Sequence, residues 1–260
     1  MKKGILVVSF GTTYERTRKL CIESVENRIR DEFKDYEVRR AFTSGMVINK
    51  LKERDNIVID NVSEALIRME KEGFEEIHVQ SLHIIPGFEY EKMQKNIRDF
   101  KERKNNIHLK VGKPLLFDEG DYDRVIKSLD ASDLKEDVSI VYMGHGTDHV
   151  SDKSYMVLEG KFREYGYKNV YIATVEGNRT IEDIIPDLSE SGIKKVILKP
   201  FMLVAGDHAT NDMAGDSEDS WKSILSKEGF EVETCVKGLG ENSKIQDIFI
   251  SHLKDTFNGI

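Results

Sequence analysis

The chain has 260 residues, of which 39% are hydrophobic and 33% are charged, and its formal net charge is −8. This length allows a buried core in one large domain or in two domains of about 130 residues each. The acidic balance excludes a general nucleic-acid partner, because such binding needs a basic face that displaces counterions. The apolar run behind the first lysines is too short for a signal peptide or a membrane span, so we expect a cytoplasmic protein without a membrane partner.

Short apolar runs alternate with amphipathic stretches through the first half of the chain. Continuous apolar runs predict strands at 4–10, 36–42 and 76–85, and 108–116 ends the half. Helical spacing of apolar residues predicts helices at 13–33, 57–73 and 89–103. The helix at 57–73 is expected to end at Gly73 and to bury one face, formed by Val58, Val62, Ala65, Leu66 and Met69.

The second half follows the same plan. Its predicted strands are 138–144, 169–175, 195–204 and 230–236. Its predicted helices are 153–165, 179–191, 207–227 and 242–257, the last with Ile245, Ile248, Phe249 and Leu253 inward. Strand–helix alternation of this kind predicts parallel sheets with right-handed crossovers.

Three blocks of the first half recur in the same order in the second. They pair VVSFGTT (7–13) with VYMGHGT (141–147), VRRAFTSG (38–45) with VYIATVEG (170–177), and IHVQSLHIIPGFE (77–89) with VILKPFMLVAGDH (196–208). The repeat predicts an α/β fold of two similar halves, 1–125 and 126–260, each with a parallel sheet flanked by helices. A boundary near 118–136 fits, and 118–131 is a candidate helix that crosses to the other half.

Polar residues follow the aligned strands at the point where each strand ends. In open parallel sheets this edge binds ligands. The second half places His145, Glu176 and His208 there, and the equivalent positions of the first half are Phe10, Ser44 and Glu89. Two imidazoles and a carboxylate suit a borderline divalent metal such as Co²⁺, Ni²⁺, Fe²⁺ or Zn²⁺.

Each of these side chains also has a purely structural explanation. His145 between two glycines could be a turn residue bonded to the backbone, His208 could follow a helix N-cap at Asp207, and Glu176 could be a solvated loop acid. Their shared position at strand ends favours the metal site. Of the other histidines, His83 is expected to be a satisfied core residue, and His149 a rim or capping residue.

The two cysteines do not contribute to the predicted site. Cys21 and Cys235 lie far apart and neither belongs to a CxxC motif, so cysteine-based zinc and redox sites are absent from the sequence. Both are expected to be free, buried thiols.

Five stretches together resemble one known family. They are ILVVSFGTTYERTR, SLHIIPGFEYEKM, YMGHGTDH, ATVEG and PFMLVAGDHATNDMAGD. In this order they are similar to the anaerobic sirohydrochlorin cobalt chelatases, class II chelatases of cobalamin biosynthesis, over essentially the whole chain. The resemblance implies a ferrochelatase-like architecture with a tetrapyrrole cleft between the halves. It also implies ATP-independent insertion of Co²⁺ into sirohydrochlorin, with His145, Glu176 and His208 at the metal and Glu89 as a second carboxylate.

These roles define the expected mechanism. His145, Glu176 and His208 hold Co²⁺, and His145 and Glu89 are the catalytic residues that accept pyrrole protons. The substrate is expected to contact Phe10, Gly11, Thr12, Gly144 and Gly146, since glycines let a flat ring approach the backbone.

No cofactor beyond the substrate metal is expected, and an oligomer is compatible with the sequence. The alternatives are an Fe²⁺ or Ni²⁺ chelatase acting on the same substrate, and a non-catalytic metal- or tetrapyrrole-binding protein.

Overall fold

A computed structural model describes residues 2–103, 106–129 and 131–258 of the chain. The chain forms two compact units, one of Met1–Phe117 with Ser243–Ile260 and the other of Asp118–Asn242. Each unit contains one four-stranded parallel sheet flanked by helices, so the predicted α/β class with two similar halves is confirmed. None of the described helices combines the length and apolar character that crossing a membrane requires.

The first unit has the strand order β2-β1-β3-β4. Its strands are β1 (Lys2–Ser9), β2 (Glu37–Phe42), β3 (Phe74–Ser81) and β4 (His108–Val111). Its helices before the second unit are α1 (Glu15–Thr17), α2 (Ser24–Glu32), α3 (Gly45–Asp55), α4 (Val62–Lys71) and α5 (Phe88–Arg103). A π-helical segment, Arg18–Glu23, joins α1 to α2, so the helix predicted at 13–33 forms with a widened turn inside it.

The second unit has the strand order β6-β5-β7-β8. Its strands are β5 (Val138–Gly144), β6 (Val170–Thr174), β7 (Lys195–Pro200) and β8 (Glu231–Thr234). Its helices are α6 (Glu119–Ser128), α7 (Lys153–Glu164), α8 (Ile185–Glu190) and α9 (Trp221–Lys227). A π-helical segment covers His208–Met213, and 3₁₀ turns cover Val150–Asp152, Glu182–Ile184 and Leu239–Glu241.

The two sheets share one topology, which confirms the internal repeat. In each sheet the first strand of the unit lies centrally, between the second and the third. Gly11 and Gly146, which the repeat aligns, each lie two residues beyond that central strand and have positive φ angles of 97° and 80°. The same left-handed turn therefore ends the central strand in both units.

The chain is divided differently from the predicted halves 1–125 and 126–260. Helix α6 belongs to the second unit, and the last helix, α10 (Ser243–Phe257), belongs to the first. On α10, the ring of Phe257 stacks on His78 of β3 with centroids 3.9 Å apart, and the hydroxyl of Thr256 lies 2.6 Å from His78 Nδ1. The apolar residues predicted to point inward from this helix are buried, but against the first sheet.

Complete burial of the central strands explains their continuous apolar sequences. All seven residues of β5 and the last six of β1 are buried, because helices cover both faces of a parallel sheet. Each large aliphatic side chain buried there contributes about 1.5–3 kcal/mol of transfer free energy. The two sheets are therefore rigid supports for the loops at their carboxyl edges.

Three predicted helices have different bounds in the structure. The helix expected at 57–73 begins at Val62, because Asn61 caps it in a reciprocal capping box with Glu64, and Val58 is 72% exposed rather than buried. The helix expected at 179–191 starts with a 3₁₀ turn at Glu182. The stretch 207–227 contains two helical pieces separated by turns, since Ser220 caps a new helix.

Helix α3 had no counterpart among the predicted elements. It begins at Gly45, and the side chain of its N-cap, Ser44, accepts a hydrogen bond from Val47 N. Only Val47 and Leu51 are buried on it, which is too few apolar positions to produce a periodic signal.

Candidate metal centre

Three side chains at the carboxyl edge of the second sheet form a potential metal site. His145, Glu176 and His208 each offer a ligand atom, and these atoms lie within 4.8 Å of one another. The imidazole rings have centroids 4.9 Å apart and are nearly perpendicular, at 89°. His145 Nδ1 lies 3.8 Å from a carboxylate oxygen of Glu176. The structure thus brings together the three residues that the strand-end argument selected, and their ligation of metal stays a prediction.

The surroundings of His145 determine which ring nitrogen is available to a metal. Its Nδ1 lies 3.0 Å from the carbonyl oxygen of Gly146, which can only accept a hydrogen bond. In this contact Nδ1 carries the proton, and Nε2 keeps the lone pair of the neutral imidazole. With Nδ1 donating to this carbonyl, Nε2 is the nitrogen whose lone pair can bind a metal.

His208 is oriented in the same way by a carboxylate. It begins the π-helical segment His208–Met213, and its Nδ1 lies 2.6 Å from Asp212 Oδ2. A ligand histidine commonly donates its second N–H to such a carboxylate, which fixes the ring and increases its basicity. Asp212 is a candidate supporting residue that the sequence pattern did not single out, although a histidine and an aspartate four residues apart after a strand were a usable signal.

Glu176 lies in a loop that is closed at its base. The amide and the hydroxyl of Thr174 both donate to the carbonyl oxygen of Arg179, at 2.7 and 3.0 Å. The amide of Glu176 donates to the carbonyl oxygen of His145 at 2.8 Å, which ties this loop to the loop after β5. Two of the candidate ligands are therefore joined through their backbones.

The two glycines around His145 are required by packing inside the unit. A Cβ atom on Gly144 would overlap the ring of Tyr155, and one on Gly146 would overlap the backbone nitrogen of Gly177. Gly146 also has a φ angle of +80°, a backbone conformation that residues with a Cβ atom rarely adopt. Close approach of a substrate to Gly144 and Gly146 stays a prediction, but their identity already follows from contacts with Tyr155 and Gly177.

Tyr155 of α7 packs against the loop that carries His145. It is buried, and its hydroxyl oxygen accepts hydrogen bonds from the backbone N–H groups of Gly146 and His145. Burial raises the pKa of this phenol far above its ordinary value, so it stays protonated and able to donate. In the sequence it looks like any core aromatic of an amphipathic helix, so no local signal pointed to it.

The cluster is accessible from solvent. The side chains of His145, Glu176 and His208 are 44%, 59% and 31% exposed. Structural zinc sites are closed by four protein ligands, whereas sites that exchange ligands keep open positions. Three candidate ligands with exposed side chains suit a metal ion that is bound and then released.

The remaining predicted site residues belong to the first unit. Glu89 lies in the first turn of α5, with Oε2 3.6 Å from Lys92 Nζ. This oxygen is buried and has no hydrogen-bond partner among the described residues. Phe10 is 42% exposed directly after β1, which suits a contact with an apolar ligand. The roles predicted for both stay predictions.

Gly11 and Thr12 have local structural functions. Gly11 has φ +97°, and a Cβ atom there would overlap the ring of Phe42. Thr12 is buried, and its hydroxyl accepts a hydrogen bond from Tyr14 N at 3.2 Å. These contacts explain the residues without a ligand, so their predicted substrate contacts gain no support from the geometry.

The other histidines fit their predicted roles. His83 is buried, with Nδ1 2.8 Å from Ser81 Oγ and Nε2 3.4 Å from Thr43 Oγ1. Burial lowers the pKa of His83 to about 4, and the charge of Lys92 adds to the shift. His149 caps a 3₁₀ turn by accepting a hydrogen bond from Ser151 N.

Only one of the two cysteines fits its prediction fully. Neither forms a disulfide, but Cys21 is buried whereas Cys235 is only partly buried.

Comparisons with known proteins agree over the full length. The family model Cobalt chelatase (CbiK) matches residues 3–258. The chain is 38% identical to the sirohydrochlorin cobaltochelatase of Salmonella typhimurium, over 99% of this chain and 97% of that protein. It is 36% identical to the sirohydrochlorin cobaltochelatase CbiKC of Nitratidesulfovibrio vulgaris, over 97% of this chain and 89% of that protein.

The fold also has a counterpart among solved structures. SirB from Bacillus subtilis with Fe³⁺ superposes with a TM-score of 0.69 and 15% identity, covering 98% of this chain and 96% of that one. At this identity the likeness concerns the fold alone. The family match and the two sequence relatives carry the assignment, and the chain belongs to the cobalt chelatase (CbiK) family.

Proposed function

We propose that this protein inserts Co²⁺ into sirohydrochlorin, forming nitrogen–metal bonds without hydrolysing a nucleotide. The observation that carries the proposal is the convergence of two imidazoles and a carboxylate at one sheet edge in a member of the cobalt chelatase family. The names of the two sequence relatives, both sirohydrochlorin cobaltochelatases, indicate sirohydrochlorin as the substrate and favour cobalt over Fe²⁺ or Ni²⁺ as the metal.

In this proposal Co²⁺ first binds Nε2 of His145, Nε2 of His208 and the carboxylate of Glu176. Nitrogen and oxygen ligands of this kind suit borderline divalent ions and hold them less tightly than thiolates would. The exposed side of the cluster leaves coordination positions for the pyrrole nitrogens of the substrate. The metal then exchanges protein ligands for macrocycle ligands one after another.

Insertion also removes two pyrrole N–H protons. Nε2 of His145 becomes free as the metal moves to the macrocycle, so it is the proposed acceptor of one proton. Glu89 is the proposed acceptor of the other, because its side chain is partly exposed and one of its carboxylate oxygens has no hydrogen-bond partner within the part of the chain that the structure describes. Both protons then pass to solvent, and the macrocycle dianion balances the charge of Co²⁺.

The exposed ring of Phe10 is proposed to pack against the substrate. Aromatic rings stack in offset or edge-on arrangements, which suits the flat face of a tetrapyrrole. The proposal includes no cofactor besides the substrate metal, since neither metal transfer nor proton transfer requires an electron donor or a nucleotide.

Turnover with defined metals tests the function. The purified protein is mixed with sirohydrochlorin and Co²⁺, Fe²⁺ or Ni²⁺, and the visible spectrum of the macrocycle is followed against protein-free controls. We expect Co²⁺ insertion to be accelerated most. Acceleration of Fe²⁺ or Ni²⁺ alone would replace the metal in the proposal, and binding without acceleration of any metal would make the protein a carrier.

A further inference from the structure

One buried carboxylate, that of Asp152, hydrogen-bonds both of the loops that carry His145 and Glu176. Asp152 ends the 3₁₀ turn Val150–Asp152 and is 6% exposed. Its Oδ1 accepts a hydrogen bond from Thr147 N at 3.1 Å. Its Oδ2 accepts hydrogen bonds from Asn178 N at 3.0 Å and from Asn178 Nδ2 at 2.9 Å. All three partners are donors, so the group acts here only as an acceptor.

Each oxygen of this carboxylate holds a different loop. Thr147 lies two residues beyond His145, and Asn178 lies two residues beyond Glu176. The two loops also touch at Gly146 and Gly177, where a Cβ atom on Gly177 would overlap Asp152 Oδ1. The carboxylate of Asp152 and the hydroxyl of Thr174 therefore fill the space that a side chain on Gly177 would need.

The spacing between the two candidate ligands depends on this anchoring. A direct backbone bond from Glu176 N to His145 O joins the loops at one point, and Asp152 joins them again two residues further along each. Two attachment points fix both the separation and the relative rotation of the loops. Ligand side chains need such support, because a site that is about 1 Å too loose loses function.

We infer that Asp152 is the positioning residue of the metal centre, setting the distance between His145 and Glu176 through the backbones of their loops. This inference rests on the proposed function. Asp152 touches neither metal nor substrate in this account, and it acts by holding the two ligand loops in register. We expect Asp152 to raise the affinity for Co²⁺ and to fix the coordination geometry, in addition to stabilising the fold.

Asp152→Asn tests the inference, since asparagine keeps the size but has one acceptor oxygen, and its NH₂ would face a backbone N–H. Co²⁺ is titrated into each variant while the visible absorption of bound Co²⁺ is recorded. We expect the affinity to fall about 10- to 100-fold, as for other outer residues of metal sites. The spectrum of the bound ion should change shape, and KM for Co²⁺ should rise more than kcat falls.

Asp121→Asn is the matched control. Asp121 is also a buried carboxylate of the second unit, 4% exposed, and accepts a backbone hydrogen bond from Asp118 N at 2.9 Å. It is the N3 residue of the capping box of α6, so its hydrogen bond holds the start of that helix and neither of the ligand loops. Its substitution should lower the melting temperature but leave the affinity for Co²⁺ and the spectrum unchanged.

Asn178→Ala keeps the inference testable if Asp152→Asn does not fold. It removes one of the three donors and retains the backbone N–H, so we expect a loss of Co²⁺ affinity of a few-fold. Wild-type affinity and spectrum in the folded Asp152→Asn or, failing that, the Asn178→Ala protein would overturn the inference, as would an equal loss in Asp121→Asn. A wild-type protein that binds no Co²⁺ would instead contradict the proposed function.

Discussion

Asp212 and His208 form a carboxylate–imidazole pair in which Oδ2 and Nδ1 are 2.6 Å apart. The pair lies within one π-helical segment, whose widened turn begins at the candidate ligand itself. Such widened turns occur frequently at functional sites. When Nδ1–H donates to this carboxylate, Nε2 is the nitrogen of His208 that can bind a metal.

Asp212→Asn should therefore weaken Co²⁺ binding by about 10- to 100-fold, because an amide orients the imidazole less firmly and does not increase its basicity. Isothermal titration with Co²⁺ measures the effect. Asp207→Asn is the control, since this carboxylate is one residue away from His208 and accepts a hydrogen bond from Asn211 rather than from a ligand. Equal losses in both variants would show that only the local charge matters.

Gly146→Ala should destabilise the second unit and disrupt the ligand loop. The added Cβ would meet the backbone nitrogen of Gly177 in a left-handed conformation, for a combined cost of about 2–4 kcal/mol in the free energy of unfolding. Gly166→Ala provides the comparison, because Gly166 has φ +86° but open space around it, and should cost about 1 kcal/mol. Urea unfolding would contradict the account if the two variants lost the same stability.

Glu89→Gln should lower kcat for Co²⁺ insertion by about 100-fold, the typical contribution of a positioned proton acceptor. The affinity for Co²⁺ should stay within about twofold of wild type, since the three candidate ligands all belong to the second unit. Steady-state kinetics and Co²⁺ titration separate the two effects. Glu91→Gln, on the same helix, should leave both values unchanged, and a loss of Co²⁺ affinity in Glu89→Gln would instead make Glu89 a ligand.

His83 makes stability depend on pH. Its folded pKa of about 4 lies below the ordinary value near 6.5, so between these values the unfolded chain binds more protons than the folded one. The free energy of unfolding therefore falls as the pH drops through this window, by about 2 kcal/mol between pH 7 and pH 5. Comparison with His83→Gln at both pH values isolates the contribution, and an identical pH dependence of the two proteins would refute it.

The repeated strand pattern made the fold and the three ligand candidates predictable from sequence. Parallel strands alternate with helices in a fixed way, and the carboxyl edge of a sheet collects whatever polar residues follow its strands. His145, Glu176 and His208 could be selected by that rule alone. Side-chain packing was not needed for this step.

Other features depended on contacts that a sequence pattern does not encode. The supporting residues Asp152 and Tyr155 act through hydrogen bonds to loops that are distant in sequence or carry no motif. Helix α10 returns to the first sheet, where Phe257 stacks on His78 and the hydroxyl of Thr256 hydrogen-bonds it, and an apolar periodicity alone does not say which sheet a helix covers. Val58 was misplaced because its spacing extends the helical pattern beyond the cap at Asn61.

A single-turnover experiment tests the central claim most directly. Protein loaded with one equivalent of Co²⁺ is mixed rapidly with sirohydrochlorin, and the loss of the metal-free spectrum is compared with that for the same concentration of free Co²⁺. The account predicts that protein-bound Co²⁺ enters the macrocycle faster than free Co²⁺, and that His145→Ala and His208→Ala abolish this advantage while His149→Ala retains it. A wild-type rate no higher than that of free Co²⁺ would contradict the account.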